Sequence, residues 1–334
     1  MNIIIPMAGR GKRLRPHTLT VPKPLVKIAG KPIVQHLVED IASLLNNEPL
    51  EKVVFVTGRF GEEVEQHLLA VAKKLSAQGE IAYQDEALGT AHAIWCAKEA
   101  LNGKTIVAFA DTLFKADFKL DEGSDGMLWV KQIDDPSSFG VVKLNDQEQI
   151  IDFVEKPQEF VSDLAMIGCY YFKEGKDLYS EIEFLIDNNV MKSGEYQLPD
   201  ALRRMTEKGK TFTPGKVDEW MDCGNAKVTI ETSNRVLELK YSEPDVASDV
   251  SISNSTIIPP CYIGSGARIK NSVVGPNISI GDETIIEDSR ISHSLIQDNT
   301  FIKGKVMAQS MIGSSVKIDE NPSTMSLGDF NELG

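Results

Sequence analysis

The stretch TIIPPCYIGSGARIKNSVVGPNISIGDETIIEDSRISHSLI, Thr256–Ile296, decides the fold of the C-terminal part of this chain. An aliphatic residue recurs there every five or six positions, with small or polar residues between. A repeat near six fits neither the helix period of 3.6 nor strict strand alternation. It is typical of a hexapeptide repeat, in which each unit forms one short face of a triangular β-solenoid coil. The residues predicted to stack in its interior are Ile252, Ile257, Ile263, Ile269, Val274, Ile280, Ile286, Ile291, Ile296 and Ile302.

The repeat resembles the left-handed parallel β-helix of hexapeptide-repeat proteins from about Val246 to Ile318. Glycine, Asn and Asp are expected at the corners, because these residues tolerate the backbone conformations that sharp turns require. An irregular β-sandwich is the alternative interpretation. Residues 319–334 are expected to form a polar tail.

The chain before Leu239 has a different pattern, in which short apolar runs alternate with amphipathic segments of helix length. The segments Val34–Leu45, Glu62–Leu75 and Thr90–Ala100 are predicted helices. This alternation predicts an α/β domain with a parallel or mixed sheet. The predicted strands are NIIIP from Asn2, KVVFVTG from Lys52, IVAFAD from Ile106, GMLWVKQI from Gly126 and GVVKL from Gly140.

Composition limits the protein class. The chain has 334 residues, which favours two domains, and a formal charge of −14, which argues against nucleic-acid binding. No apolar run approaches the ~20 residues that span a bilayer. The four cysteines show no paired spacing, so reduced thiols in the cytoplasm are expected. We therefore expect a cytoplasmic protein with no membrane partner.

Positive charge is concentrated at the N-terminus. The first 38 residues contain no Asp or Glu and carry a formal charge of +7. A glycine-rich turn after a strand, followed by basic residues, suits phosphate binding, since glycine admits phosphate oxygens to the backbone N–H groups. Two common phosphate motifs do not fit, because Gly11-Lys12 is followed by Arg13 and Leu14 stands where a dinucleotide fingerprint has its third glycine. The basic residues are Arg10, Lys12, Arg13, Arg15, Lys23, Lys27 and Lys31.

The pair Gly9-x-Gly11-x-Arg13 and Pro22-Lys23-Pro24 resembles the signature of the sugar-1-phosphate nucleotidyltransferase family. Further segments resemble the family's motifs in the family's order, and the resemblance covers residues 1–240. It implies a Rossmann-like mixed-sheet catalytic domain at 1–240, followed by the β-helix at 246–318. The further segments are YQDEALGTAHAI (Tyr83–Ile94), FADTLF (Phe109–Phe114), FGVV (Phe139–Val142), FVEKP (Phe153–Pro157), IGCYYF (Ile167–Phe172) and EWMDCGN (Glu219–Asn225).

The resemblance implies nucleotidyl transfer from a nucleoside triphosphate to a sugar 1-phosphate. Arg13 would hold the departing phosphates and Lys23 the α-phosphate, as the catalytic residues. Asp111 and Asp222 would bind Mg²⁺, although Ala110 stands where the family has a glycine. The nucleotide-binding residues would be Ala8, Gly9, Gly11, Gln84, Gly89 and Thr90.

Further residues would bind the sugar phosphate and select the substrates. Glu155 would accept hydrogen bonds from sugar hydroxyls, and Lys156 would pair with the phosphate, with Gly140 and Gly168 close to the ring. Met166 stands where some members have Asn, which favours glucose 1-phosphate over an N-acetylhexosamine. The amide of Gln84 suits a pyrimidine, so UTP or dTTP is expected, and one methyl group does not separate them.

Two other functions remain open. Hexapeptide solenoids often carry acetyltransferase activity with a histidine as base, and His293 is the histidine of this solenoid. Alternatively, the chain is a non-catalytic regulatory subunit of the same two-domain plan. The open ends of a short solenoid invite association, so a homo-oligomer through the C-terminal domain is expected.

Overall fold

The computed structural model describes residues 1–9, 11–45, 48–117, 119–121 and 123–320. The first 224 residues hold strands β1 (Asn2–Pro6), β2 (Lys27–Ile28), β3 (Lys31–Pro32), β4 (Lys52–Thr57), β5 (Gln78–Tyr83), β6 (Thr105–Ala108), β7 (Thr112–Lys115), β8 (Gly126–Gln132), β9 (Gly140–Leu144), β10 (Ile150–Glu155), β11 (Leu164–Phe172), β12 (Phe212–Lys216) and β13 (Glu219–Asp222). The helices are α1 (Ile33–Leu44), α2 (Glu62–Lys74), α3 (Thr90–Cys96), α4 (Gly175–Asp187), α5 (Leu198–Glu207) and α6 (Ala226–Lys240).

After α6 the described part of the chain, which ends at Glu320, forms short strands and no further helix. These are β14 (Asp245–Val246), β15 (Ser251–Ser253), β16 (Thr256–Ile257), β17 (Cys261–Ile263), β18 (Arg268–Lys270), β19 (Val273–Val274), β20 (Ile278–Ile280), β21 (Ile285–Glu287), β22 (Arg290–Ser292), β23 (Ser294–Ile296), β24 (Phe301–Lys303), β25 (Val306–Ala308), β26 (Met311–Ile312) and β27 (Lys317–Asp319).

Two compact units divide the chain. The first contains Met1–Val26 and Pro32–Gly224, and the second contains Lys27–Lys31 and the chain from Asn225 onward. Helix α6 thus belongs to the second unit. That residues 1–240 form the catalytic domain concerns activity and stays a prediction. Of the predicted tail, 321–334 lie outside the described residues.

A mixed sheet forms the centre of the first unit, as the alternating pattern predicts. Its strand order is β5-β4-β1-β6-β11-β8-β12-β10-β9. Strands β5, β4, β1 and β6 are parallel to one another, and β11 pairs antiparallel with both β6 and β8. Strand β1 is buried at every position, because it lies between β4 and β6. All five predicted strands and all three predicted helices are present, so this part of the prediction is confirmed.

Three parallel sheets form the second unit. Their strand orders are β14-β17-β20-β23-β26, β15-β18-β21-β24-β27 and β16-β19-β22-β25. In one of them Ile252 pairs with Ile269, Ile269 with Ile286, and Ile286 with Ile302, so each coil stacks the same kind of residue on the last. This arrangement is that of the left-handed parallel β-helix predicted from the repeat.

The predicted interior column is buried along most of its length. Positions from Ile263 to Ile302 in the predicted set are at most 1% exposed. Ile252, however, is 42% exposed, so its place in the buried interior is a wrong prediction. The reason is its position: β15 is the first strand of its sheet, and one neighbouring strand covers it instead of two.

Left-handed backbone turns form the corners of the β-helix. Asn254, Asn271 and Asp288 have φ of 47°, 51° and 48° and stand at matching corners of successive coils. The Asn254 amide donates to Asn271 at 2.9 Å, and the Asn271 amide donates to Asp288 at 3.0 Å. Short side chains that accept this conformation and bond to the next coil explain the Asn and Asp of the repeat.

No helix within the described residues is long and apolar enough to cross a membrane.

Candidate active site

The strand order of the first unit reverses at β1. From β1 the sheet continues to β4 on one side and to β6 on the other, and all three strands are parallel. Ligands of open α/β sheets bind beyond the carboxyl ends of the strands at such a switch point. The loop that carries Arg13 and Lys23 follows β1, and Asp111 follows β6.

The loop after β1 is folded tightly around Gly11. This glycine has φ of 56°, and its carbonyl accepts a hydrogen bond of 2.8 Å from the Thr18 hydroxyl. A Cβ atom at position 11 would lie 2.9 Å from Cβ of Lys23, so a side chain here would displace the lysine. Gly9 has open space around its Cα, as a backbone approached by a ligand requires. Arg10 lies outside the described residues.

Lys23 pairs with Asp111 at this edge of the sheet. Its ammonium lies 3.1 Å from Asp111 Oδ2, and the side chain of Lys23 is 9% exposed while that of Asp111 is 46% exposed. The Lys23 stem is thus fixed by packing while the carboxylate still meets solvent. This pair joins two predicted residues that are 88 positions apart in the chain.

Asp222 lies beside this pair because two short strands hold it there. Strands β7 and β13 pair antiparallel, with Thr112 opposite Asp222. The backbone N–H of Cys223 donates to the carbonyl of Asp111 at 3.1 Å. A Cβ atom at Gly224 would lie 2.7 Å from Asp222 Oδ2. Any side chain at position 224 would therefore displace this carboxylate.

Burial raises the pKa of Asp222 above its ordinary value, and the charge of Asp111 raises it further. Lys23, the Gly224 N–H and Arg13 act in the opposite direction without cancelling the effect. Arg13 itself is exposed. Lys23, Asp111 and Asp222 therefore form one cluster, and the charge of Arg13 reaches Asp222.

This cluster suits a hard divalent cation. Two carboxylates, one of them desolvated and repelled by the other, are a donor set that such an ion stabilises. Among the described residues no group of three or more His, Cys, Asp or Glu side chains could hold a metal. A cation held by Asp111 and Asp222 would thus complete its shell with water or phosphate oxygens, as Mg²⁺ commonly does.

A second cluster holds the residues predicted to bind the base. The Gln84 amide nitrogen donates to the Gly89 carbonyl at 3.0 Å and lies 3.2 Å from His92 Nδ1. The donor side of this amide is therefore engaged within its own loop. The Thr90 hydroxyl oxygen accepts a hydrogen bond of 3.0 Å from the Leu198 N–H, which ties the loop to α5.

A segment around Tyr196, distant in the chain, supports this loop, and no sequence pattern indicates that contact. Tyr196 donates its N–H to the Leu88 carbonyl at 2.8 Å, and its own carbonyl accepts from the Ala91 N–H at 3.0 Å. Gly89 has φ of 104°, and a Cβ atom there would lie 2.5 Å from the Tyr196 carbonyl oxygen. The loop thus pairs through its backbone, which leaves no side-chain pattern to detect.

Three of the residues predicted to bind the sugar phosphate lie on strands, Gly140 on β9, Glu155 on β10 and Gly168 on β11, and Lys156 directly follows β10. Gly140 faces Glu155, whose Oε2 would lie 2.8 Å from a Cβ at position 140, and Met166, whose methyl carbon would lie 2.5 Å from it. Lys156 is exposed and lies 3.8 Å from Glu155. Gly168, with φ of 86°, accepts a hydrogen bond from the Phe109 N–H at 2.9 Å.

An aromatic contact links the residue before β9 to β13, the strand that carries Asp222. The rings of Phe139 and Trp220 meet edge to face with centroids 4.7 Å apart. Phe139 precedes Gly140, and Trp220 lies on β13 with Asp222. Both aromatic residues lie within segments that resemble family motifs, and neither has a predicted role. The two residues are 81 positions apart in the sequence, and no sequence pattern predicts that they touch.

His293 occupies a corner of the β-helix. Its φ is 47°, and its backbone N–H donates to the Pro276 carbonyl at 2.8 Å. Asn277 and Gln309 have similar left-handed conformations on neighbouring coils. The position thus has a structural role that does not depend on imidazole chemistry.

Comparison with known proteins gives a consistent result. The family model for nucleotidyl transferase matches residues 2–238. A glucose-1-phosphate thymidylyltransferase of Streptomyces griseus is 26% identical over 96% of this chain and 94% of its own length. The bifunctional protein GlmU of Methanococcus vannielii is 29% identical over 98% of this chain and 81% of its own length.

Solved structures give the same fold. The nucleoside-diphosphate-sugar pyrophosphorylase of Vibrio cholerae RC9 superposes with a TM-score of 0.58 at 22% identity, over 69% of this chain and 99% of its own. At that identity the likeness supports the architecture alone.

Proposed function

This chain belongs to the nucleotidyl transferase family, and from that membership we propose that it transfers a nucleotidyl group from UTP or dTTP to a sugar 1-phosphate. The products would be a nucleoside diphosphate sugar and pyrophosphate. The observation that carries the proposal is the ion pair of Lys23 and Asp111 beside Asp222, after the ends of β1 and β6. The predicted catalytic domain is residues 1–240.

The reaction needs positioning and charge neutralisation more than proton transfer. A phosphate oxygen of the sugar 1-phosphate attacks the α-phosphorus, and the bond to the β-phosphate bridging oxygen breaks as pyrophosphate leaves with the electron pair. The nucleophile is already an anion, so no general base is required. Lys23 would hold the α-phosphate, where charge accumulates in the transition state, and Arg13 would hold the departing phosphates.

The N–H groups of Ala8, Gly9 and Gly11 would add hydrogen bonds to the phosphates. Gly9 offers open space, and the Thr18 contact fixes the turn at Gly11. Backbone donors held in place before the reaction cost no reorganisation during it.

Asp111 and Asp222 would hold Mg²⁺, which when bound would neutralise phosphate charge. The Lys23 ammonium lies 3.1 Å from the Asp111 carboxylate. With Mg²⁺ and substrate bound, this ammonium would turn from the carboxylate to the α-phosphate. The burial of Asp222 supports this assignment, because a desolvated carboxylate gains most from a cation.

Glucose 1-phosphate is the proposed acceptor. Glu155 would accept from sugar hydroxyls and Lys156 would pair with the phosphate, with Gly140 and Gly168 against the ring. Met166 is 8% exposed and its methyl group is close to Gly140, so an apolar group stands where an N-acetyl group would need a hydrogen bond. This contact favours a plain hexose.

The pyrimidine base would bind at Gln84, Gly89 and Thr90. The Gln84 side-chain N–H donates to the Gly89 carbonyl. When the base binds, this amide would either keep that hydrogen bond and make a second one to the base, or give it up. UTP and dTTP differ at one methyl group and both remain in the proposal. We also keep a cytoplasmic location and a homo-oligomer formed through the β-helix as proposals.

A catalytic role is favoured over that of a regulatory subunit. A regulatory subunit would not need Arg13, Lys23, Asp111 and Asp222. This chain has all four, with Lys23 and Asp111 paired beside Asp222. An acetyltransferase role has weaker support, since His293 serves as a corner residue.

Pyrophosphate release tests the proposal. The protein would be assayed with each of five nucleoside triphosphates against several sugar 1-phosphates, with Mg²⁺ present. Release that needs both a pyrimidine triphosphate and glucose 1-phosphate supports the proposal. Release without any sugar phosphate, or with purine triphosphates alone, contradicts it.

A further inference from the structure

The segment Lys27–Lys31 follows directly after the loop that carries Lys23, yet it belongs to the second unit of the structure. Its Ile28 and Ala29 are fully buried. A segment of the opening basic stretch is thus part of the unit that the β-helix forms, and nothing in the proposed chemistry explains why.

Lys27 makes the main polar contact of this segment. Its ammonium lies 3.1 Å from Asp282 Oδ2 and 2.8 Å from Asp298 Oδ2. The second oxygens of both carboxylates are used within the β-helix: Asp282 Oδ1 accepts from the Ser265 N–H at 3.0 Å, and Asp298 Oδ1 accepts from the Asp282 N–H at 2.9 Å. Two rigid carboxylates on successive coils therefore share one lysine.

The backbone of the segment is also held. The Gln297 side-chain amide donates to the Lys27 carbonyl at 2.9 Å, and the Tyr241 hydroxyl lies 3.4 Å from the Ala29 carbonyl. Gly30 has φ of 79°, and a Cβ atom there would lie 2.3 Å from the Tyr262 ring. Three separate kinds of contact thus hold the segment: the ion pairs of Lys27, the hydrogen bonds to its backbone, and the packing of Gly30 on the Tyr262 ring.

A short rigid turn connects this segment to Lys23. Residues Lys23–Leu25 form one turn of 3-10 helix, in which the Leu25 N–H donates to Pro22 at 2.9 Å and the Val26 N–H donates to Lys23 at 3.0 Å. Val26 is 4% exposed, so no flexible spacer separates the turn from Lys27. A displacement of Lys27 would therefore reach Lys23 through the backbone.

We propose that the β-helix positions the catalytic loop by holding Lys27–Lys31, with Lys27, Asp282 and Asp298 as positioning residues. This inference rests on the proposed function only where it concerns turnover. It gives the β-helix a role in the reaction that needs no catalytic group of its own. Misplacement of a catalytic contact by about 1 Å can reduce a rate about 100-fold.

Hydrogen exchange on the full chain tests the anchor without reference to the reaction. Lys27→Met keeps the aliphatic stem and removes the ammonium, and Gly30→Ala inserts a methyl group against Tyr262. We expect amide exchange within residues 11–26 to rise on the order of tenfold in both variants, because the loop loses its fixed end. Exchange in β1 and β6 should not change.

Lys303→Met is the matched control. Lys303 lies on the same β-helix with its ammonium 4.0 Å from Glu287, and among the described residues it takes no part in the contacts that hold Lys27–Lys31. It should leave exchange in residues 11–26 at the wild-type level, and Lys27→Arg, which keeps the charge, should restore most of the protection lost in Lys27→Met.

Turnover is the second measurement. Lys27→Met should lower kcat about 10- to 100-fold with a smaller change in the KM for sugar phosphate, since the loop acts on the transition state. Unchanged exchange in residues 11–26 in both Lys27→Met and Gly30→Ala overturns the proposal, as does an equal effect of Lys303→Met. A wild-type protein inactive in all assays would refute the proposed function and leave the exchange test valid.

Discussion

At the scale of single residues, the site depends on four charges that the sequence spreads over 210 positions by number, from Arg13 to Asp222. Lys23 is the residue most firmly fixed by the fold, since its stem packs against Gly11 while its ammonium meets Asp111. Arg13 is exposed and acts at longer range. The position of the Lys23 side chain is therefore set by its packing, whereas that of the exposed Arg13 side chain is not.

Replacing Lys23 or Arg13 by Ala should lower kcat by roughly two to four orders of magnitude, because each would remove a preorganised contact to transition-state charge. Steady-state pyrophosphate release measures the effect. Lys143→Ala is the control, since Lys143 is an exposed lysine of β9 and has no proposed role. Rates near wild type in both site variants would remove the proposed mechanism.

Asp222→Asn separates metal binding from folding. The raised pKa means that the folded state binds this proton more tightly than the unfolded chain does, so its stabilising contribution is present at low pH and is lost as the pH rises through the raised value. At neutral pH the charged form is therefore a cost, and the variant should have a higher Tm than wild type in a chelator.

The same variant should lose Mg²⁺-dependent activity by about 100-fold, and its Tm should no longer rise on addition of Mg²⁺. Thermal unfolding with and without Mg²⁺ measures this directly. A variant that unfolds at lower temperature in the chelator, with normal activity per folded molecule, would show that Asp222 is a structural residue.

At the scale of elements, periodicity and turn residues predicted most of the fold. Strands such as Asn2–Pro6 and the six-residue repeat are local patterns, and local patterns determine local structure. Contacts between distant segments have no such signal. The pairing of Tyr196 with the Leu88–Ala91 loop uses backbone groups, and the carboxylates that hold Lys27 are more than 250 residues away.

Gly89→Ala tests whether the base loop depends on that pairing. A methyl group would lie 2.5 Å from the Tyr196 carbonyl, so the loop must move and the Gln84 contact to Gly89 must change. We expect the KM for the nucleoside triphosphate to rise about tenfold or more, with a smaller change in kcat.

Gly103→Ala is the control for backbone strain. Gly103 has φ of 69° and nothing within 4 Å of its added Cβ, so the change imposes the left-handed cost without a clash. Equal kinetic effects of Gly89→Ala and Gly103→Ala would contradict a specific role of the base loop.

At the scale of the whole molecule, the β-helix leaves aliphatic side chains exposed. Val306 is 83% exposed and Ile252 is 42% exposed, and both lie on strands of the parallel sheets. Burial of such side chains against another copy would be favourable. We predict that the full chain is a homo-oligomer in solution and that a chain ending at Leu239 is monomeric, as measured by light scattering. A monomeric full chain would refute assembly through this region.

The shortened chain also separates two roles of the β-helix. If it served assembly alone, the chain ending at Leu239 would keep full turnover. The contacts of Lys27–Lys31 with Asp282 and Asp298 are absent from that chain, so we expect kcat to fall about 10- to 100-fold while the motifs of the first unit remain.

The most direct measurement of the central claim is ³¹P NMR of the reaction mixture with UTP or dTTP, glucose 1-phosphate and Mg²⁺. The account predicts that the triphosphate and sugar phosphate signals fall together. Signals of a nucleoside diphosphate sugar and of pyrophosphate should then rise in a 1:1 ratio, and Lys23→Ala should slow this conversion by roughly two to four orders of magnitude. Inorganic phosphate as the product, or loss of triphosphate without loss of sugar phosphate, would contradict the claim.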